Sequence, residues 1–225
     1  MNYTELSAAI QEYTQNYETD FVANIPVFVE QAELRIYNTV QFPSLRKNVT
    51  GFTTLGNKYL SCPLDFLAPY SMAVISGDEY TYLLNKDVNF IREAYPSTAA
   101  DYRGLPKYYA LFGPATTNTN PAVITNELTF LLGPTPDALY SVELHYYYYP
   151  ESIVTASTSW LGDNFDTVLL YGSLMEAYTF MKGEPDILAN YTQRYQEALG
   201  QAKRLGDGME RGDAYRDGQI KLPVT

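Results

Sequence analysis

The chain has 225 residues, 32 of them Tyr or Phe, and a formal net charge of −11 from 15 basic and 26 acidic residues. A chain of this length and aromatic content buries a sizeable core, which excludes global disorder, and an acidic chain without a basic run is a poor match for phosphate-gripping nucleic-acid readers. One Cys, Cys62, excludes an intrachain disulfide, and one His, His145, excludes a His-rich metal site.

Taken in chain order, the first 45 residues predict two helices. Thr4 is a candidate N-cap ahead of Leu6, Ile10, Tyr13 and Tyr17 at helical spacing. A second helix is expected to open at Asn24-Ile25-Pro26, with Pro26 in its first turn. Ile25, Phe28, Val29, Ala32, Ile36, Thr39 and Val40 mark its apolar face, Glu30, Gln31, Glu33 and Asn38 lie mostly off that face, and Pro43 ends it.

From about residue 46 the apolar period changes to two. RKNVTGFTTL and NKYL read as paired strands about a turn at Leu55 to Lys58. YSMAVIS, EYTYLL, PKYYALFG, ELTFLLGP and YSVELHYYYY read as further strands, KDVNFIREAY as a short helix, and TTNTNPAV as an exposed loop. From Trp160 helical spacing returns. Asp163 or Asn164 is a candidate cap for a helix ending at Gly183, and Glu184-Pro185-Asp186 opens the next. Gly172 and Ser173 in mid-helix point to a close-packed neighbour. Beyond Leu205 the composition turns to Gly, Asp and Arg without sustained periodicity, which predicts an extended tail.

The order of helices, strands and helices predicts an α+β fold: a helical bundle from the N- and C-terminal helix pairs (1–45 and 159–205), an inserted antiparallel β-rich domain (46–158) and an extended C-terminal tail (206–225). A secretory signal pattern and an apolar run of membrane-spanning length are not visible, so assembly in a reducing cytoplasm without membrane insertion is expected.

Candidate chemistry centres on VELHYYYYP, residues 142–150. In a strand, Glu143 and His145 share one face and Val142, Leu144, Tyr146 and Tyr148 the other. A base with an orienting carboxylate still needs a nucleophile, and G-x-S-x-G, H-E-x-x-H and C-x-x-C motifs are missing. Asp163 and Asp166 read as helix-capping residues, and Asp207, Asp213 and Asp217 do not have calcium-loop spacing. The expectation is a protein without catalytic, cofactor or metal residues that works by fitting against others. Ile220, Leu222 and Val224 alternate near the terminus and suit addition to a partner's sheet edge.

Four stretches together resemble the head-to-tail adaptors of short-tailed bacteriophages, the tail tubular protein A-like family. They are ELSAAIQEYTQN with FVANIPVFVEQAELRIYNTV, CPLDFLAPYSMAVI, VELHYYYYP, and LLYGSLMEAYTFMKGEPDILANYTQRYQEAL. The resemblance spans roughly residues 3–205 and is weakest beyond Leu205. It implies a homo-oligomeric ring of about twelve copies at the head–tail junction of a virion. Such a ring docks beneath the portal protein, carries the tail nozzle or hub and in some phages the fibres, and continues a channel through which DNA passes without sequence-specific binding. It also implies that the C-terminal segment enters the portal, with Tyr215, Arg216, Ile220 and Leu222 as candidate portal-binding residues. Twelve copies at −11 each would set about −132 formal charges around the channel, favouring passage of DNA over capture. The alternative reading of the tyrosines is a carbohydrate- or receptor-binding virion protein.

Overall fold

The computed structural model describes residues 1–113, 116–117, 123–124 and 128–217; residues 43, 116–117, 123–124 and 206–217 are described by their backbone alone. The first helices are α1 (Tyr3–Thr14) and α2 (Thr19–Thr39). The strands β1 (Arg46–Phe52), β2 (Tyr59–Ser61), β3 (Ala68–Ser76), β4 (Glu79–Tyr82) and β5 (Leu84–Asn85) lead to α3 (Val88–Ala94). Next come β6 (Tyr108–Phe112), β7 (Thr116–Thr117), β8 (Val123–Ile124), β9 (Thr129–Gly133) and β10 (Ser141–Tyr147). The chain closes with α4 (Ile153–Ala156), α5 (Trp160–Asn164), α6 (Asp166–Met181) and α7 (Pro185–Asp217). The fold class is α+β. Two compact units form, one from Met1–Leu45 with Tyr149–Thr225 and one from Arg46–Tyr148.

In the helical unit the cap of α1 lies two residues before the expected one, at Asn2. Asn2 Oδ1 accepts the Glu5 N–H at 2.9 Å and Glu5 Oε2 accepts the Asn2 N–H at 2.9 Å, a reciprocal capping box that leaves Thr4 inside the first turn. The start of α2 also lies earlier than expected. Pro26 sits inside the helix because the buried stripe reaches back to Phe21 and continues through Ile25, Phe28, Val29, Ala32 and Ile36. Burial of that stripe outweighs the one backbone hydrogen bond that Pro26 cannot donate.

The central helix is α6, which packs against α1, α2, α5 and α7. It buries Val168, Leu169, Leu170, Gly172, Ser173, Leu174 and Ala177, and a helix with so many neighbours needs apolar residues on more than one face. Gly172 is required for the approach: a Cβ there would lie 3.2 Å from the Ala32 Cβ and 3.3 Å from the Tyr195 ring. The helix before α6 is the separate short α5, capped by Ser159, whose Oγ accepts the Gly162 N–H at 3.1 Å; Asp163 and Asn164 lie within it.

Two readings of the helical unit change. Residues 149–158, placed in the insert on sequence grounds, group with the helices, where Glu33 ties Ile153 to α2. The stretch from 206, expected to be extended, is helical as far as Asp217 as a continuation of α7. Glycines cost about 1 kcal/mol each in a helix but do not forbid it, and extending a formed helix avoids the cost of a new nucleus.

The β unit holds two four-stranded sheets, ordered β1-β10-β3-β4 and β2-β9-β6-β5, with the small antiparallel pair β7-β8 at the ends of the expected TTNTNPAV loop; residues 118–122 lie outside the described residues. Pairing is antiparallel except for the short parallel pair β5-β6, so the insert is mixed at one edge. The expected hairpin of β1 with β2 does not form: β1 pairs with β10 and β2 with β9. Between them the Thr53 hydroxyl donates to the Ala138 carbonyl at 3.1 Å, and Gly56, at φ +73°, donates its N–H to the Pro136 carbonyl at 2.9 Å. These bonds redirect the chain from one sheet to the other.

One core lies between the sheets. Met72, Val74, Val142, Leu144 and Tyr146 of the first meet Tyr109, Phe130 and Leu132 of the second, with Cys62, Phe66 and Leu83 completing it. Strand β9 is buried along its length, because its other face packs Leu131 with Ala110 and Ile91 of α3. A Cβ on Gly133 would come within 2.8 Å of Ile91 and 2.9 Å of Tyr95, so the glycine sets how closely α3 lies on the sheet.

Candidate functional site

The first six residues of VELHYYYYP, 142–147, lie in the inner strand β10, flanked by β1 and β3, and the last three lie beyond it. Its side chains alternate along the strand: Val142, Leu144 and Tyr146 are buried, while Glu143, His145 and Tyr147 are half-buried on the other face. The register sets His145 opposite Asn48 and Ser71, and Glu143 opposite Thr50 and Ala73.

His145 Nδ1 lies 3.3 Å from Ser71 Oγ and its Nε2 lies 3.8 Å from Glu143 Oε1. Sequence spacing brings Glu143 to the histidine, and sheet register adds Ser71, which no local signal marks. The order Ser–His–Glu carries the residue types of a hydrolytic triad, but 3.8 Å is ion-pair range and too long for a hydrogen bond that orients the ring. The group lies on an open sheet face, with the histidine side chain 44 % exposed. Its chemistry is that of a polar surface row.

A second polar cluster caps one end of the β unit. Tyr146, buried to 1 % exposure, donates its hydroxyl to Asp65 Oδ1 at 2.8 Å, and Lys47 Nζ holds Asp65 Oδ2 at 2.8 Å while lying 5.0 Å from the Tyr148 ring centroid. The Lys47 ammonium, ahead of the Tyr146 hydroxyl, holds the Asp65 carboxyl below its usual range. This explains the acidic position in CPLDFLAPYS, which anchors that turn to β10.

Cys62 is buried in the sheet–sheet core, where desolvation pushes its thiol up to about 12, far from a reactive thiolate. Among the described residues no three His, Cys, Asp or Glu side chains gather as a metal site. A shallow open cleft of about 340 Å³ runs along α1, lined by Tyr3, Ser7, Gln11, Glu12 and Tyr17 among others. Among the described residues Glu33 is the buried carboxylate of the helical unit, 3 % exposed, and it accepts the Ile153 N–H at 3.0 Å; burial pushes its carboxyl up, against hydrogen bonds from Ser152 and Ile153. Helical spacing had set Glu33 off the apolar face; its burial follows from the later segment that it caps.

Of the candidate portal-binding residues, Tyr215 and Arg216 fall on the C-terminal part of α7, and Ile220 and Leu222 lie outside the described residues. The structure presents surface chemistry: exposed Phe52, Tyr70, Tyr80, Tyr82 and Tyr102 in the β unit, and Tyr13 and Tyr17 in the helical unit.

The family model of the SU10 adaptor protein matches residues 1–219. The chain belongs to the SU10 adaptor protein family. It is therefore a bacteriophage adaptor, a structural component of the virion at the head–tail junction, whose work is contact with other virion proteins. No curated protein matches the chain. For an SU10 adaptor the aromatic surface and the unreactive Cys62 fall into place, because side chains that fit neighbouring proteins need area and shape rather than perturbed nucleophiles. Among the described residues no helix is long and apolar enough to cross a membrane.

Proposed function

We propose that this adaptor assembles as a closed ring of about twelve copies that joins the portal to the tail nozzle and continues the DNA channel. The observation that carries the reading is the family match across residues 1–219, which takes in residues of both units and the whole of α7. The net charge of −11 per copy supports it, since a wall of like sign to DNA lets the duplex pass. The adaptor acts by assembly and without turnover of a substrate.

Contact with the portal is assigned to the C-terminal segment, through Tyr215, Arg216, Ile220 and Leu222. In support, Ala202 is the last buried residue of α7 among its described side chains, and the helix runs on for fifteen residues to Asp217. At about 1.5 Å per residue, that part of α7 reaches roughly 22 Å, enough to cross an interface.

The test is reconstitution of the full chain with its portal, followed by electron microscopy and native mass spectrometry. Closed rings seated on the portal are expected. A chain that stays monomeric with the portal present overturns the reading.

A further inference from the structure

We propose that the outer face of the sheet β1-β10-β3-β4 is a contact surface for a second copy of this chain, the neighbour in the ring; this deepens the ring reading above and rests on it. The registers define the face. Phe52, Ser141, Ile75 and Tyr80 form one row across the four strands, and Thr50, Glu143, Ala73 and Tyr82 form the next. Asn48, His145 and Ser71 follow, and Arg46 lies over the Tyr70 and Tyr147 rings at 5.0 and 5.7 Å beyond them.

The face has aromatic rims and a low floor. Phe52 on β1 is 65 % exposed, and Tyr80 and Tyr82 on β4 are 51 % and 68 % exposed. Between the rims lie the small side chains of Ser141, Ala73 and Ser71, with Ile75 among them. Cross-strand aromatics that served only to fill the sandwich would point inward, where Val142, Leu144 and Tyr146 already complete the core. These point outward and are half or more exposed, while Ala73 in the floor between them is itself buried.

Area and charge argue for a copy of the same chain as the occupant. At about 200 Å² per aromatic side chain, the exposed parts of Phe52, Tyr70, Tyr80 and Tyr82 come to roughly 480 Å². That is more than half of the ~800 Å² that one partner gives to a standard interface, before the polar rows are counted. Charge decides where copies of an acidic chain can meet. Residues 46–148 hold seven Lys or Arg against nine Asp or Glu, while the remaining residues hold eight against seventeen. Copies that met only through their helical units would set excess negative charge against itself. On the outer sheet face the carboxylate of Glu143 is matched by the guanidinium of Arg46, so the face carries no excess of one sign. A ring is heterologous, so the opposing surface on the neighbour is a different one.

The test uses the full chain with its portal, comparing the wild type with F52S and with the double variant Tyr80→Ser, Tyr82→Ser. The variants should keep the wild-type circular dichroism and Tm, because the changed side chains are exposed. The concentration for half-assembly into rings should rise about tenfold or more. Hydroxyl-radical labelling of Phe52, Tyr80 and Tyr82 in the wild type should fall when rings form, a readout that stands even where a variant folds poorly. Rings at wild-type concentration, or labelling that does not change on assembly, overturn the proposal while leaving the ring reading intact. Protection that appears only when the tail nozzle protein is added assigns the face to that protein and equally overturns it. A wild type that forms no ring with its portal fails the ring reading and this proposal with it.

Discussion

The hydroxyl of Tyr146 donates at 2.8 Å to Asp65, so the third inward-facing position of β10, counted from Val142, is buried at its ring and tied at its tip. This bond links the inner strand β10 to the turn before β3, and it makes the tyrosine more than a hydrophobic filler. Replacement by Phe keeps the ring contacts with Phe66, at 5.8 Å between centroids, and removes only the bond. Y146F is expected to lose about 1 kcal/mol in urea unfolding, below the usual range for a bond to a charged group because the carboxylate is part-exposed.

The same cluster sets an acid limb. Asp65 has a folded-state pKa below its unfolded value, chiefly through Lys47, so its contribution is present above the unfolded pKa and is lost as pH falls through the folded one. Wild-type stability should therefore drop below about pH 4 by more than that of D65N. Equal slopes for the two proteins in pH-dependent unfolding would contradict the assignment.

Glu33 has the opposite sign. Burial holds its carboxyl above the unfolded value, so its contribution is full below the unfolded pKa and is lost as pH rises through the folded one. E33Q keeps an acceptor for the Ile153 N–H and carries no charge. Its Tm relative to wild type should rise as pH is taken from 4 to 7. Glu33→Ala removes the acceptor and should cost about 1–3 kcal/mol at either pH.

Glycines in two helices should respond in opposite directions. A Cβ at Gly172 meets Ala32 and Tyr195, and the Ala32 Cβ cannot rotate away, so Gly172→Leu should cost about 2–3 kcal/mol by overpacking. Gly200 in α7 has nothing within 4 Å of its Cβ position, and G200A should add about 1 kcal/mol. Thermal unfolding of the two variants measures both.

The lone thiol reports on the β unit. With Cys62 buried and its thiol pushed up to about 12, a thiol-specific reagent at pH 8 should label the native chain only as fast as the β unit opens. Rapid labelling without denaturant would contradict the packing of β2 over that core.

Residue order alone determined the α+β class and the types of the longer elements, though not the helix beyond residue 205 or the short β7, β8 and α4, because helical and strand periods are written in neighbours three to four or two positions apart. The inward and outward sides of β10 were legible in this way, as were the Gly172 contact and the pairing of Glu143 with His145 along one strand. Only the tertiary structure decided which strands pair, since β1 meets β10 nearly a hundred residues away and no local period encodes that choice. It also decided that Ser71 joins His145, that Glu33 turns inward to meet Ile153, and that Pro26 lies within α2. Each of these depends on a partner remote in the chain, whose burial or hydrogen bond outweighs the local preference of the residue itself.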